Sequence, residues 1–296
     1  MTTRPLTLGT PQIVSLGTCE LQAFEAGPAD GPVIVFVQGL LVNADVWRDV
    51  VPALVAGGAR CITVDWPLGA HAIPTPGADL TPPGVAALIG EVLEVLDLDD
   101  VTIVANDTGG ALTQILMASG PERVGRVVLT PSDSFEMFFP PMFKPLVWMA
   151  HVPGAVWAVE QGMRARFAQR RPMAFGWLSL TPLPDDLLDS FVLPARRSRA
   201  VRKDLARFLR TVHKRHTLEA ASRLDAFDKP VLLAWGAEDK FFPLSLAERL
   251  AAILPDARIE LVPGARTLVP FDRPDILNPM ILDFLGLGAN GLDART

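Results

Sequence analysis

The apolar run Val101-Thr102-Ile103-Val104 passes directly into Ala105-Asn106-Asp107-Thr108-Gly109-Gly110 and then into Ala111-Leu112-Thr113-Gln114-Ile115-Leu116-Met117. The first segment reads as a buried strand and the last as a helix. A strand can turn this abruptly into a helix only where the residues flanking the tip are small, because the turn brings backbone against them. Ala105 and Gly109, two residues to either side of Asp107, meet that demand. The pattern predicts a nucleophile elbow, with one side chain held at the tip of a strained strand-to-helix turn. The tip is a carboxylate rather than the usual serine. A carboxylate nucleophile attacking a saturated carbon forms an ester, which narrows the chemistry.

Around the elbow, short strand-like runs alternate with helical patterns, the signature of an α/β fold with a mostly parallel sheet. Candidate strands are 12–15, 21–25, 33–37, 60–65, 101–105, 126–130, 231–235 and 258–262. The first two, joined through Gly17, read as an antiparallel edge hairpin. Several others are nearly continuous apolar runs, as expected where both sheet faces are covered. Thr81-Pro82 signals a helix start, with a capping side chain followed by proline at the first helical position. A further helix is expected after Arg273-Pro274-Asp275. The rhythm breaks between Ser134 and Asp225, a stretch without a convincing strand. It is rich in Phe, Met and Trp at first, then basic from Arg196 to Arg210. The expected organisation is therefore a core of 1–133 and 226–296 with a helical cap, 134–225, inserted after the sixth strand. The tail from Gly288 is expected to fray.

The 296 residues carry 49% hydrophobic and 20% charged side chains, enough for a large apolar core. The net charge of −6 argues against nucleic acid as a partner. Cys19 and Cys61 are too few for a disulfide framework, and Cys61 lies in a strand-like run as core. The residues Met1 to Pro5 lack the apolar region of a secretion signal, and no apolar run is long enough to span a bilayer. The expectation is a cytoplasmic monomer or homodimer acting on a small-molecule substrate, with no membrane or nucleic-acid partner and no cofactor or metal.

Three further motifs follow in order. Val35-Phe36-Val37-Gln38-Gly39-Leu40 ends a strand on a glycine turn. Trp235-Gly236-Ala237-Glu238-Asp239 places an acid just beyond another strand. Val262-Pro263-Gly264-Ala265-Arg266-Thr267 follows the last strand. Together with the elbow and the late insertion, these resemble the α/β-hydrolase superfamily from about Leu21 to Leu285. The elbow aspartate is similar to that of the haloalkane dehalogenase and epoxide hydrolase branch.

The resemblance implies roles. Leu40 and Thr108 would supply the two backbone N–H groups of an oxyanion hole, and Asp239 would be the catalytic acid, with Glu238 the weaker candidate. Asp133 and Glu136, after the sixth strand, mark a second acid position. Two family features are missing. Gln38 stands where the family has His before the glycine, and Thr267 stands where it has the catalytic histidine, with Arg266 before it. Threonine is no general base near neutral pH, and such a base typically contributes ~10²–10⁴-fold.

Four histidines remain. His71 ends Asp65-Trp66-Pro67-Leu68-Gly69-Ala70-His71, a loop at the carboxyl edge of the sheet where ligands bind in such folds, and is the candidate substitute base. Its alternative is a hydrogen bond that anchors the loop. His151 lies in the apolar part of the cap, and His213 and His216 flank Lys214 and Arg215 as a solvated face. Arg266 would hold a carboxylate ionised, clamp a substrate carboxylate, or bridge to Asp239 in place of the missing His–Asp pair. Gln38, Asn106, Glu136, Trp148, Arg266 and Thr267 complete the pocket candidates. Phe135, Phe138, Phe139, Met142, Phe143, Trp148 and Met149 either line an apolar cavity or form the cap's own core.

The resemblance also tests specific activities. Haloalkane dehalogenases hold halide with a Trp after the nucleophile and a second Trp or Asn; here Thr108 follows Asp107 and Leu40 occupies the other donor position. Epoxide hydrolases use cap tyrosines, and this chain has no tyrosine. Fluoroacetate dehalogenases place an arginine soon after the aspartate, and this chain does not. The leading expectation is a hydrolase using Asp107 on a small, largely apolar substrate, with a missing or substituted base. The alternatives are a lyase, isomerase or cyclase using Asp107 as acid or base, and an inactive ligand-binding relative.

Overall fold

The computed structural model describes residues 6–288, so the extreme N-terminus and the tail beyond Gly288 lie outside the described residues. Eight strands form one sheet: β1 (Thr10–Ser15), β2 (Glu20–Ala26), β3 (Val33–Val37), β4 (Arg60–Val64), β5 (Val101–Asp107), β6 (Val124–Ser132), β7 (Val231–Gly236) and β8 (Ala257–Val262). Their order is β1-β2-β4-β3-β5-β6-β7-β8. The expected edge hairpin is present, with β1 antiparallel to β2 and β2 antiparallel to β4; every other pairing is parallel.

The strands without alternation are the buried ones. All of β7 is buried, as is β5 apart from its terminal Asp107. Edge strand β8 has only Val262 fully buried. Parallel strands need helical crossovers, and these cover both faces of the central strands. The helix Pro82–Val95 starts where Thr81 accepts a hydrogen bond from the Gly84 N–H, so the threonine–proline signal marks a true N-terminus. The helix Pro274–Phe284 likewise begins at the expected proline.

The strand order places the site. From β3 the chain crosses to β4 on one side of β3, and from there to β5 on the other. The loops leaving β3 and β5 therefore depart in opposite directions, opening a crevice between their carboxyl ends. Gln38-Gly39-Leu40 follows β3 and Asp107 ends β5.

Between β6 and β7 the described chain adds no strand to the sheet. It carries helices instead, among them Ala155–Gly162, Asp185–Arg197 and Arg199–Thr211. The last two are amphipathic: Leu187, Leu188, Phe191 and Val192, then Val201, Leu205, Phe208 and Leu209, turn one stripe inward. Among the described residues, no helix is long and apolar enough to cross a membrane.

Candidate active site

Asp107 has φ 55° and ψ −131°, a left-handed conformation that a non-glycine residue adopts only when its surroundings enforce it. The enforcement comes from packing. A Cβ at Gly109 would strike the Val37 and Gln38 carbonyls, one at Gly110 the Ser132 hydroxyl, and one at Gly39 the Asp107 carboxyl itself. The small residues thus let the elbow nest against the β3 loop.

The Asp107 carboxyl accepts backbone hydrogen bonds from Thr108 and Leu40, so the two N–H groups inferred from sequence converge on it. These donors favour the carboxylate. Burial and the nearby Asp239 oppose them, and burial is the larger effect, pushing Asp107 up to about 7. Near neutral pH both protonation states are therefore populated.

Two further acids surround the elbow. Asp239 accepts from the Phe241 and Phe242 N–H groups at 2.6 Å each through Oδ1, and from the Thr267 hydroxyl at 2.7 Å through Oδ2. Burial raises its carboxyl despite these donors. Glu238 instead fastens the following loop, accepting from the Gly264 and Ala265 N–H groups. Asp133 is completely buried behind the elbow and accepts from the Thr108 hydroxyl at 3.1 Å. Among the described residues its Oδ1 has no hydrogen-bond partner, and burial, together with the charge of Asp107, pushes its carboxyl well up.

Other sequence candidates build the frame. Asn106 donates to Thr130 Oγ1 at 2.8 Å and to the Thr267 carbonyl at 2.6 Å, tying the elbow to the loop that carries Thr267. Gln38 donates to the Val64 carbonyl at 2.6 Å and accepts from the Trp47 indole. It holds the β3 loop through a buried hydrogen-bond network.

The remaining candidates lie elsewhere. His71 is buried, but its Nδ1 accepts from the Gly69 N–H and its Nε2 faces Asp204 Oδ2 at 3.4 Å, across to the helix Arg199–Thr211. That is the loop-anchoring arrangement, and His71 does not line the cavity that Asp107 lines. Arg266 forms no ion pair with Asp239; its guanidinium donates to the Ser179 carbonyl. Glu136 is exposed and pairs with Arg249 through both carboxyl oxygens, which lowers it to about 2. Trp148 and Trp157 are exposed, as is His151.

Asp107 opens into a cavity of about 270 Å³. Leu40, Leu41 and Thr108 line it from the sheet side. Of the apolar residues named from sequence, Phe139, Met142, Phe143 and Met149 line it, joined by Phe175 and Phe191. Phe135 and Phe138 are buried outside it. One polar residue in the lining was not anticipated. Glu160, only 4% exposed, enters from the helix Ala155–Gly162. Burial pushes it up to about 7 against the opposing influence of Arg202 and Arg196. The available signal was spacing, since Glu160 follows Val156 by one helical turn and these two are the buried face of that helix. Among the described residues, no His, Cys, Asp or Glu cluster is arranged to hold a metal.

Residues 32–274 match the family described as the alpha/beta hydrolase fold. An uncharacterized hydrolase, YugF, of Bacillus subtilis (strain 168) is 25% identical over 256 residues, covering 85% of this chain and 89% of its own. Haloalkane dehalogenase 2 of Mycobacterium bovis is 26% identical over 276 residues, covering 86% and 88%. The crystal structure of haloalkane dehalogenase DbeA from Bradyrhizobium elkani USDA94 superposes with a TM-score of 0.77 at 17% identity, covering 97% of this chain and 99% of that one, a likeness of fold. The eight-stranded sheet and the family match over most of its length together place this chain in the α/β-hydrolase fold family, as a hydrolase whose reaction the relatives leave unspecified.

Proposed function

We propose that the chain hydrolyses a small, largely apolar substrate through an alkyl ester on Asp107, with residues 134–225 acting as a cap over the cavity. The observation that carries this reading is the Asp107 carboxyl itself. It is held at a strained tip, receives the Leu40 and Thr108 N–H groups, and opens onto an apolar cavity.

In the first step one carboxylate oxygen of Asp107 attacks a saturated substrate carbon. The carbon–oxygen bond forms as the bond to the leaving group breaks, and the leaving group takes the electron pair. Water then attacks the ester carbonyl carbon. The charge developing on the carbonyl oxygen meets the Leu40 and Thr108 N–H groups, and collapse releases the alcohol and regenerates Asp107. The water's proton needs an acceptor. Thr267 occupies the position of the family's histidine, and its hydroxyl already donates to Asp239. In this reading Thr267, buried just outside the cavity lining, accepts from the water while passing its own proton to Asp239, which requires the water to reach past the lining residues. Such a relay is weaker than an imidazole, so ester breakdown is the slow step.

Intact-mass spectrometry after exposure to 1-haloalkanes and epoxides tests the reading. The expected result is an alkyl adduct that accumulates on the native chain and is absent from Asp107→Asn. No adduct and no turnover across both classes overturns it. One observation favours a second reading: a carboxyl titrating near 7 also suits proton transfer, as in a lyase or isomerase. That reading predicts turnover without any adduct.

A further inference from the structure

Glu160 is the polar residue of the cavity that the mechanism above does not use. Its helix turns Val156 and Glu160 inward together, so the carboxyl is buried on an otherwise apolar face. Among the described residues, no hydrogen bond or ion pair reaches it. The cations acting on it are Arg202, from the helix Arg199–Thr211, and Arg196, from the helix Asp185–Arg197. Neither lines the cavity, and Arg202 donates to the Ala195 and Arg196 carbonyls. A buried carboxylate left without a partner is costly, and a ligand that neutralises it recovers that cost.

The rest of the lining says what such a ligand is. Among the described residues, the cavity's ionisable groups are Asp107 and Glu160, both acids, and no Lys, Arg or His lines it. An anionic ligand would be repelled from both. Phe139, Phe143, Phe175 and Phe191 offer aromatic surface, which attracts cations as well as apolar groups, and Met149 and Met163 add polarisable sulfur. The volume of about 270 Å³ suits a compact molecule.

We infer that this cavity takes a small hydrophobic amine, with Glu160 as the partner of its ammonium group and the aromatic wall holding its hydrocarbon part. The inference rests on the reading of this cavity as the substrate site, but not on Asp107 acting as nucleophile. The carboxylate form of Glu160 makes the charged pair, so affinity falls as pH drops below about 7 and the carboxyl takes up a proton. Arg196 and Arg202 hold part of Glu160 in the carboxylate form, and Asp107 adds a second negative group facing the same space.

The test compares cyclohexylmethylamine, cyclohexylmethanol and cyclohexanecarboxylate by isothermal titration calorimetry at pH 8. The three share one ring and differ in charge. The native chain should bind the amine about tenfold or more tighter than the alcohol, and the carboxylate most weakly. Glu160→Gln, close in shape, should bring the amine down to the alcohol while leaving the alcohol's own affinity unchanged, an outcome that a purely structural Glu160 would not produce. Equal binding of amine and alcohol by the native chain, no binding at millimolar amine, or an amine preference retained in Glu160→Gln overturns the inference. Binding is read without turnover, so these results stand apart from the adduct experiment on Asp107.

Discussion

The Thr267 hydroxyl lies 2.7 Å from Asp239 Oδ2 and donates to it, while Asp239 Oδ1 takes the Phe241 and Phe242 N–H groups. The acid is therefore fully oriented, as it would be to serve an imidazole. Its partner is a group that cannot take a proton without giving one up. In the proposed mechanism Asp239 would be the proton reservoir and Thr267 would limit the rate at which it is used.

Replacing Thr267 by His should relieve that limit. With Asp239 already held to accept from position 267, the imidazole gains an orienting carboxylate at once. The adduct on Asp107 should break down roughly 10²-fold faster or more. The lifetime of the alkyl ester, followed by intact mass after removing excess reagent, checks this. An unchanged lifetime removes the claim that a base is missing.

The pH dependence of Asp107 has a definite sign. Its folded value, about 7, lies above that of an aspartate in the unfolded chain, so the folded state holds the proton more tightly. The stability this contributes is fully present below the unfolded value and is lost as pH rises through about 7. Asp107→Asn removes that loss. Its unfolding free energy should exceed that of the native chain at pH 8 by on the order of a few kcal/mol, seen as a higher melting temperature, and the gap should close towards pH 4. Reactivity runs the other way, because only the carboxylate attacks carbon. The rate of adduct formation should rise with pH and level off above about 7, and thermal melts with single-turnover rates on one buffer series measure both.

Much of this site was legible because its geometry is local. Ala105 and Gly109 flank Asp107, and the demand for small residues follows from a turn a few residues long. Leu40, Thr108 and Asp239 were legible by their order relative to strands, which the parallel sheet converts into position. Glu160 and His71 depend on contacts that no short window contains. His71 meets Asp204 across 133 positions of sequence, and only packing of the β6–β7 helices against the β4 loop decides that it anchors the loop. Glu160 looks like any helical glutamate until the same packing turns its face inward. Arg266 shows a third case: it directly precedes Thr267, which bonds Asp239, yet its own guanidinium donates to the Ser179 carbonyl.

The His71–Asp204 contact gives a prediction that separates scaffold from chemistry. Burial alone would raise the Asp204 carboxyl, but hydrogen bonds from His71 and the Thr75 N–H, with Arg207 nearby, hold it below the usual range. The stability it contributes is present above the ordinary aspartate value and lost as pH falls through the folded one. His71→Ala should cost about 1–3 kcal/mol in denaturant unfolding, since it leaves Asp204 and the Gly69 N–H under-satisfied. The breakdown rate of the Asp107 ester should stay the same. A large fall in that rate, in protein shown to be folded, would restore His71 as the base.

Gly39 offers the most selective probe of the elbow. A Cβ there meets the Asp107 carboxyl and Cβ, whereas a Cβ at Gly109 meets the backbone carbonyls of Val37 and Gln38. The carboxyl can rotate away, but the Asp107 Cβ is fixed by its backbone, as are the two carbonyls. Gly109→Ala should therefore destabilise the whole chain, with a lowered melting temperature and poor recovery of folded protein. Gly39→Ala should also cost stability, because the β3 loop or the elbow must shift, and it should displace the Asp107 carboxyl from the Leu40 N–H, misaligning the attacking oxygen and weakening the oxyanion site together. Loss of one such donor alone costs about 10²–10³-fold in related chemistry. Adduct formation in folded Gly39→Ala should fall by at least that factor, and full adduct formation in folded Gly39→Ala would show that the carboxyl reaches carbon without the Leu40 N–H.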